Sequence, residues 1–133
     1  AETWLQEFHV NAIAPFMVTR ALRRNLAAAD SALVAMISSK MGSLSDNTSG
    51  GAYSYRSSKA ALNAVTVSLA QDLADDGTRV VGLHPGWVRT DMGGASAPVD
   101  TTQSASGLRK VMLGIGDSQN GGFFNYTGDA IPW

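Results

Sequence analysis

Two short apolar runs, residues 31–38 (Ser-Ala-Leu-Val-Ala-Met-Ile-Ser) and 78–84 (Thr-Arg-Val-Val-Gly-Leu-His), stand on either side of a long helical pattern. Runs of this length, closed by small polar residues or by Pro85-Gly86, predict parallel strands buried on both faces. The segment between them supplies the crossover that parallel neighbours need. In residues 55–75, Leu62, Val65, Leu69 and Leu73 recur at spacings of three and four, and Gly77 is the expected C-cap. The other faces of this helix carry Ala60, Ala61, Ala64, Ser68 and Ala70, small enough for another helix or a sheet to approach closely.

The rest of the chain extends the alternation. Residues 4–29 predict a helix with Leu5, Phe8, Ala12, Phe16, Thr19, Leu22 and Leu26 along one face. Pro15 inside it removes a hydrogen bond to the Asn11 carbonyl and is expected to kink it. Residues 40–54 and 93–104 are rich in Gly and small polar residues and predict loops. Residues 102–113 predict a short helix and 122–126 a third strand. The order helix, strand, helix, strand, helix, strand indicates an α/β layer fold with parallel strands and right-handed crossovers.

Composition narrows the function classes. The chain has 133 residues, one domain of ordinary size. Its 44% hydrophobic share allows a packed core, and 16% charged residues with net charge −1 give no basic footprint for nucleic acid. With no Cys, disulfides and thiolate metal sites are excluded, and His9 and His84 lack ligand-like companions. No apolar run reaches membrane-spanning length. The expectation is a soluble cytoplasmic protein that engages neither nucleic acid nor membrane.

The chemistry begins with Tyr55-Arg56-Ser57-Ser58-Lys59, at the start of the middle helix. Residues four apart on a helix are neighbours. A cation beside a phenol favours the phenolate, and acid–base catalysis works best when the pKa of the group approaches the working pH. Such a pair by itself is a weak signal. Three further stretches accompany it: Ile37-Ser38-Ser39-Lys40-Met41-Gly42, closing the first strand; His84-Pro85-Gly86-Trp87-Val88-Arg89-Thr90-Asp91-Met92, after the second; and Asn11, within Val10-Asn11-Ala12-Ile13-Ala14-Pro15.

Together these stretches resemble the short-chain dehydrogenase/reductase family over essentially the whole chain. The tail, residues 120–133, looks like that of the sniffer-type carbonyl reductases and their C-factor-like relatives. The resemblance implies the C-terminal half of a Rossmann-like doubly wound parallel sheet, built of three strands, two long helices and one short helix. One feature departs from the family. The glycine-rich T-G-x-x-x-G-x-G loop that cradles a dinucleotide pyrophosphate has no match here; Gly42, Gly50-Gly51 and Gly93-Gly94 are spaced differently. Residues 1–133 are therefore expected to form a single, partial domain lacking the N-terminal dinucleotide-binding half, and to be inactive alone.

The resemblance implies an NAD(P)H-dependent oxidoreductase acting on a small carbonyl or alcohol substrate, with NADP as cofactor and NAD as the alternative. Tyr55 is then the general acid/base, and Lys59 assists it and holds the nicotinamide ribose. Ser39 binds the substrate carbonyl, with Ser38 and Ser43 as competitors. Ser39 lies 16 positions before Tyr55 and Ser43 lies 12 before it. Asn11 completes the set, its main-chain carbonyl holding a water in a proton relay. Pro85, Gly86, Val88 and Thr90 meet the cofactor; Trp87 and Met92 are pocket or core; and residues 93–107 correspond to a substrate loop. The two long helices imply a homodimer or homotetramer. A non-catalytic binding or signalling module of the same fold is the alternative, and an epimerase or dehydratase using the Tyr–Lys pair is a third reading, disfavoured by the Pro85–Thr90 motif.

Overall fold

β2 (Thr78–His84) is the middle of a three-stranded parallel sheet in which β1 (Ala32–Ile37) and β3 (Phe123–Asn125) flank it. The computed structural model describes residues 1–133. β1 pairs with β2 from Ala32 opposite Thr78 to Ile37 opposite Leu83, and β3 pairs with β2 from Gly82 opposite Phe123 to His84 opposite Asn125. α4 (Tyr53–Asp72) connects β1 to β2, and α5 (Thr101–Gly114) lies between β2 and β3.

Alternation along the strands divides the core in two, because successive side chains of a strand point to opposite faces. Met36 and Val80 pack with Leu62, Leu69, Ala70 and Leu73 under α4, with Val34 and Val65 at the margin. Val81 and Leu83 pack with Ile115 on the other face, against Leu108, Val111 and Met112 of α5. The expected burial on both faces holds for β2, whose Val80, Val81 and Leu83 are fully buried. In this chain Leu33, Val34 and Ala35 of β1 are half-buried and Ile37 is 48% exposed. β1 has one ladder partner here, β2.

Three expectations about the helices need correction. The first helical stretch is not one kinked rod. α1 (Glu2–Phe8) leads into a π-helical turn, His9–Ile13, in which the Ala14 N–H donates to the His9 carbonyl; α2 (Ala14–Ala21) and α3 (Arg23–Ala27) follow. Pro15, with no N–H of its own, sits at the start of α2, where the missing donor is tolerated. A π turn adds a residue to the helical stretch. Of the expected apolar face, Ala12 and Thr19 are buried, while Leu5, before the turn, is 71% exposed and Leu22, after it, 48% exposed.

The second correction concerns Gly77. α4 starts at Tyr53 and ends at Asp72, with Leu73 as its C-cap; Gly77, at φ +72°, closes the turn that enters β2. Buried Leu73 anchors that turn, its carbonyl accepting from the Asp76 and Thr78 N–H groups. Third, the loop after Trp87 stops at Asp100, which caps α5: its carboxylate accepts from the Gln103 N–H at 2.7 Å, and the Gln103 side chain accepts from the Asp100 N–H at 3.1 Å. No helix is long and apolar enough to cross a membrane.

Candidate active site

A cavity of about 940 Å³ opens at the carboxyl ends of β1 and β2, the place where open α/β sheets bind ligands. Ser39, Tyr55, Pro85, Gly86, Val88 and Thr90 all line it, as do Trp87 and Met92. Lys59 and Asn11 stand behind this wall and are not part of the lining.

Ser39 lies two residues past the end of β1. Its Oγ accepts from the Met41 N–H at 3.1 Å, which caps a 3-10 turn, Lys40–Gly42. The turn can lie against α4 because residue 42 is glycine: a Cβ there would stand 2.8 Å from the Lys59 carbonyl carbon and 3.0 Å from the Ala60 nitrogen. The competing serines are engaged elsewhere. Ser43 Oγ donates to the Pro132 carbonyl at 2.6 Å and accepts from the Asp46 N–H at 3.1 Å. Ser38 Oγ donates to Asn63 Oδ1 at 2.6 Å. Of the three, Ser39 has its hydroxyl hydrogen uncommitted within the chain.

Tyr55 is half-buried on the first turn of α4. Lys59, one turn on, places Nζ 5.8 Å from the centre of the Tyr55 ring and donates to the Ile37 carbonyl at 3.1 Å. Burial lowers the Lys59 pKa from its ordinary value. An ammonium has three donors, and Ile37 engages one. Asn11 lies on the π turn, and its side-chain Nδ2 donates to Ser58 Oγ at 3.0 Å, joining the first helical stretch to α4 beside Lys59.

The segment after β2 forms the opposite wall. Gly86 has φ +88°, and a Cβ there would meet the Tyr126 ring at 2.9 Å, so neither the backbone nor the space accepts a larger residue. The Pro85 carbonyl accepts from Ser104 Oγ at 2.7 Å, holding α5 to the turn. Val88 bridges Val99, but through its neighbours' groups: the Arg89 N–H donates to the Val99 carbonyl at 2.8 Å and the Val99 N–H to the Trp87 carbonyl at 3.2 Å. The Val88 N–H is left without a backbone partner at the cavity wall. Thr90 Oγ1 accepts from the Gly93 N–H at 3.1 Å.

Two cavity residues escaped sequence reasoning. Arg56 donates from Nε to the Gly50 carbonyl at 3.2 Å, from Nη1 to the Met41 carbonyl at 3.3 Å and from Nη2 to Ser49 Oγ at 3.0 Å, clamping the loop after β1. Its position beside Tyr55 was the sole signal for it. His84 ends β2, and its Nδ1 accepts from the Lys40 N–H at 3.2 Å, tying the two strand ends together next to Ser39. Burial, reinforced by the charge of Lys40 and opposed by Asp46, lowers the His84 pKa from 6.5 to about 4.

That depression has a sign. His84 stays neutral in the folded chain while it titrates near 6.5 when unfolded, so its contribution is fully present above pH 6.5. It is lost as pH falls from about 6.5 towards 4, where the unfolded chain binds the proton and the folded chain does not. His84→Asn removes the titrating group. Chemical denaturation at pH 7.5 and pH 5 should show a smaller loss of stability in the variant than in the wild type; equal losses would refute the assignment.

The chain's likeness to known proteins agrees with this arrangement. A family model described as short chain dehydrogenase matches residues 1–100. C-signal of Myxococcus xanthus is 45% identical over 126 residues, covering 95% of this chain and 76% of that protein. The carbonyl reductase Sniffer of D. melanogaster superposes with a TM-score of 0.95 at 40% identity. An NADPH-bound carbonyl reductase from chicken fatty liver superposes with a TM-score of 0.91 at 32% identity. Both structural matches cover all of this chain, which spans 58% of each of those chains.

Proposed function

The chain belongs to the short-chain dehydrogenase family, and from that premise we propose that the full-length protein is an NADP-dependent carbonyl reductase. The observation that carries this reading is the meeting of Ser39, Tyr55, the free Val88 N–H and Thr90 around one cavity at the strand ends, with Lys59 one turn behind Tyr55.

Within this reading Tyr55 holds the proton for the carbonyl oxygen. Lys59 sets the electrostatics behind it, and the two donors not engaged by Ile37 serve the cofactor ribose. Ser39, its Oγ fixed by Met41, donates to the same substrate oxygen as charge develops there. The Asn11–Ser58 hydrogen bond aligns α4 beneath Lys59, and the π turn with Pro15 leaves the Asn11 carbonyl without its α-helical donor, the condition for the water relay assigned to it. Pro85, Gly86, Val88 and Thr90 form the wall for the nicotinamide end, with the Val88 N–H facing its carboxamide. The cofactor, when bound, supplies the hydride. The donors present fit its nicotinamide and ribose; this chain holds no glycine-rich cradle for its pyrophosphate. NADP is favoured over NAD by the likeness to a reductase solved with NADPH.

Assembly belongs to the same proposal. Val10, Ile13, Met17 and Val18 are exposed apolar residues of the first helical stretch, and Phe16 faces a cleft of about 210 Å³ against Ala64, Val65 and Ser68 of α4. These helices suit pairing with a second subunit. A second reading, a non-catalytic signalling module, is supported by the 45% identity to a protein named as a signal.

The two readings separate on one assay. Purified full-length protein should consume NADPH when given aldehydes and ketones, and NADPH should gain fluorescence or be quenched on binding. Binding without consumption across a broad carbonyl panel would favour the signalling module.

A further inference from the structure

Arg56 is the one cavity cation without a carboxylate partner. The chain's ion pairs are Arg23–Asp76 at 2.7 Å and Lys40–Asp46 at 3.4 Å, and Arg56 is in neither. Lys40, Asp46 and Arg56 line the cavity together. Lys40 and Asp46 offset one another, and His84 is neutral above about pH 4. The residues with which this chain lines the cavity therefore carry one positive charge in excess, located on the residue next to Tyr55.

The guanidinium is also held in place. Gly50, Met41 and Ser49 use three of its hydrogen bonds, and a guanidinium has five donors. Two N–H groups remain, fixed in direction by the other three. Neutral carbonyls and a hydroxyl satisfy donors but leave the charge unmatched. A fixed planar cation with two spare donors is suited to an oxyanion, because charge-assisted hydrogen bonds are roughly twice as strong as neutral ones.

We propose that Arg56 is a specificity residue that binds an oxyanion, carboxylate or phosphate, on the carbonyl substrate. The proposal rests on the carbonyl reductase reading and names its substrate class: carbonyl compounds that carry an anionic group away from the reacting carbon. Tyr55 acts on the carbonyl oxygen, and Arg56, one residue along α4, orients the remote end.

Three aldehydes test it on the full-length protein with NADPH: 4-carboxybenzaldehyde, 4-formylphenyl phosphate and the neutral methyl 4-formylbenzoate. At least one anion should exceed the ester in kcat/KM by roughly 10- to 100-fold, the range for hydrogen bonds to a charged group. Whichever anion gains identifies the source. Arg56→Gln should abolish that preference, chiefly through KM, and Arg56→Lys should restore part of it. Ser49→Ala, which removes one of the three bonds that fix the guanidinium but keeps its charge, should lower the anion preference by less than Arg56→Gln does. Titration calorimetry of the same compounds without NADPH reads binding separately. Anion affinity lost in Arg56→Gln would uphold the subsite even where no compound is reduced, an outcome that would sink the reductase reading alone. Equal affinity of the wild type for anions and ester by calorimetry, or an equal fall in affinity for all three in Arg56→Gln, would overturn the subsite.

Discussion

Tyr55→Phe is expected to lower kcat/KM for carbonyl reduction by about 10²- to 10⁴-fold, the usual contribution of a positioned general acid. The substitution removes one hydroxyl and keeps the ring. The ring is half-buried on the first turn of α4 and faces the cavity, with the Lys59 ammonium 5.8 Å from its centre. Lys59 is in turn fixed by the Ile37 carbonyl at 3.1 Å, so the charge behind Tyr55 remains in place in the variant. Because the ring packs as before, thermal unfolding and NADPH affinity should change little. A variant that folds, binds NADPH and turns over within about tenfold of wild type would remove Tyr55 from the chemistry.

Gly42→Ala should act on stability and turnover together. A methyl at this position would stand 2.8 Å from the Lys59 carbonyl carbon, 2.9 Å from Lys59 Cβ and 3.0 Å from the Ala60 nitrogen. Two of these are backbone atoms of a 20-residue helix and cannot swing aside as a flexible side chain does. The loop must lift instead. It carries Ser39, whose Oγ is fixed by the Met41 N–H within the same turn, so the hydroxyl proposed to bind the substrate carbonyl moves away from Tyr55. Overpacking of this kind costs about 1–3 kcal/mol. Urea denaturation should show a midpoint shift of that size, with a fall in kcat exceeding any fall in folded fraction. Unchanged stability and rate would mean that the loop does not rest on α4 at this point.

The strands and α4 were legible because their signals are local. Val80, Val81 and Leu83 form an uninterrupted apolar run, and that run is buried. Ser39, Tyr55, Val88 and Thr90 were named from the resemblance to family motifs, and the structure brings all four to the wall of one cavity. What failed depended on contacts distant in sequence or on a backbone irregularity. Ser43 and Ser39 compete on spacing alone; Ser43 is withdrawn by the Pro132 carbonyl, 89 residues on. Arg56 and His84 act through Gly50, Met41, Ser49 and Lys40, and a helix pattern carries no trace of those partners. A periodicity of 3.6 residues per turn describes the first helical stretch as one rod and gives no sign of the π turn at His9–Ile13.

The central claim is that this cavity brings a carbonyl carbon to a hydride donor while Tyr55 supplies the proton. Incubating the full-length protein with NADPH deuterated at C4 on the transferred face, a carbonyl substrate and light water tests it directly by mass spectrometry of the alcohol. One deuterium on the carbinol carbon, formed by the wild type and at least about 10²-fold more slowly by Tyr55→Phe, is the predicted result. Alcohol without deuterium at that carbon, or no alcohol although NADPH binds, would contradict it.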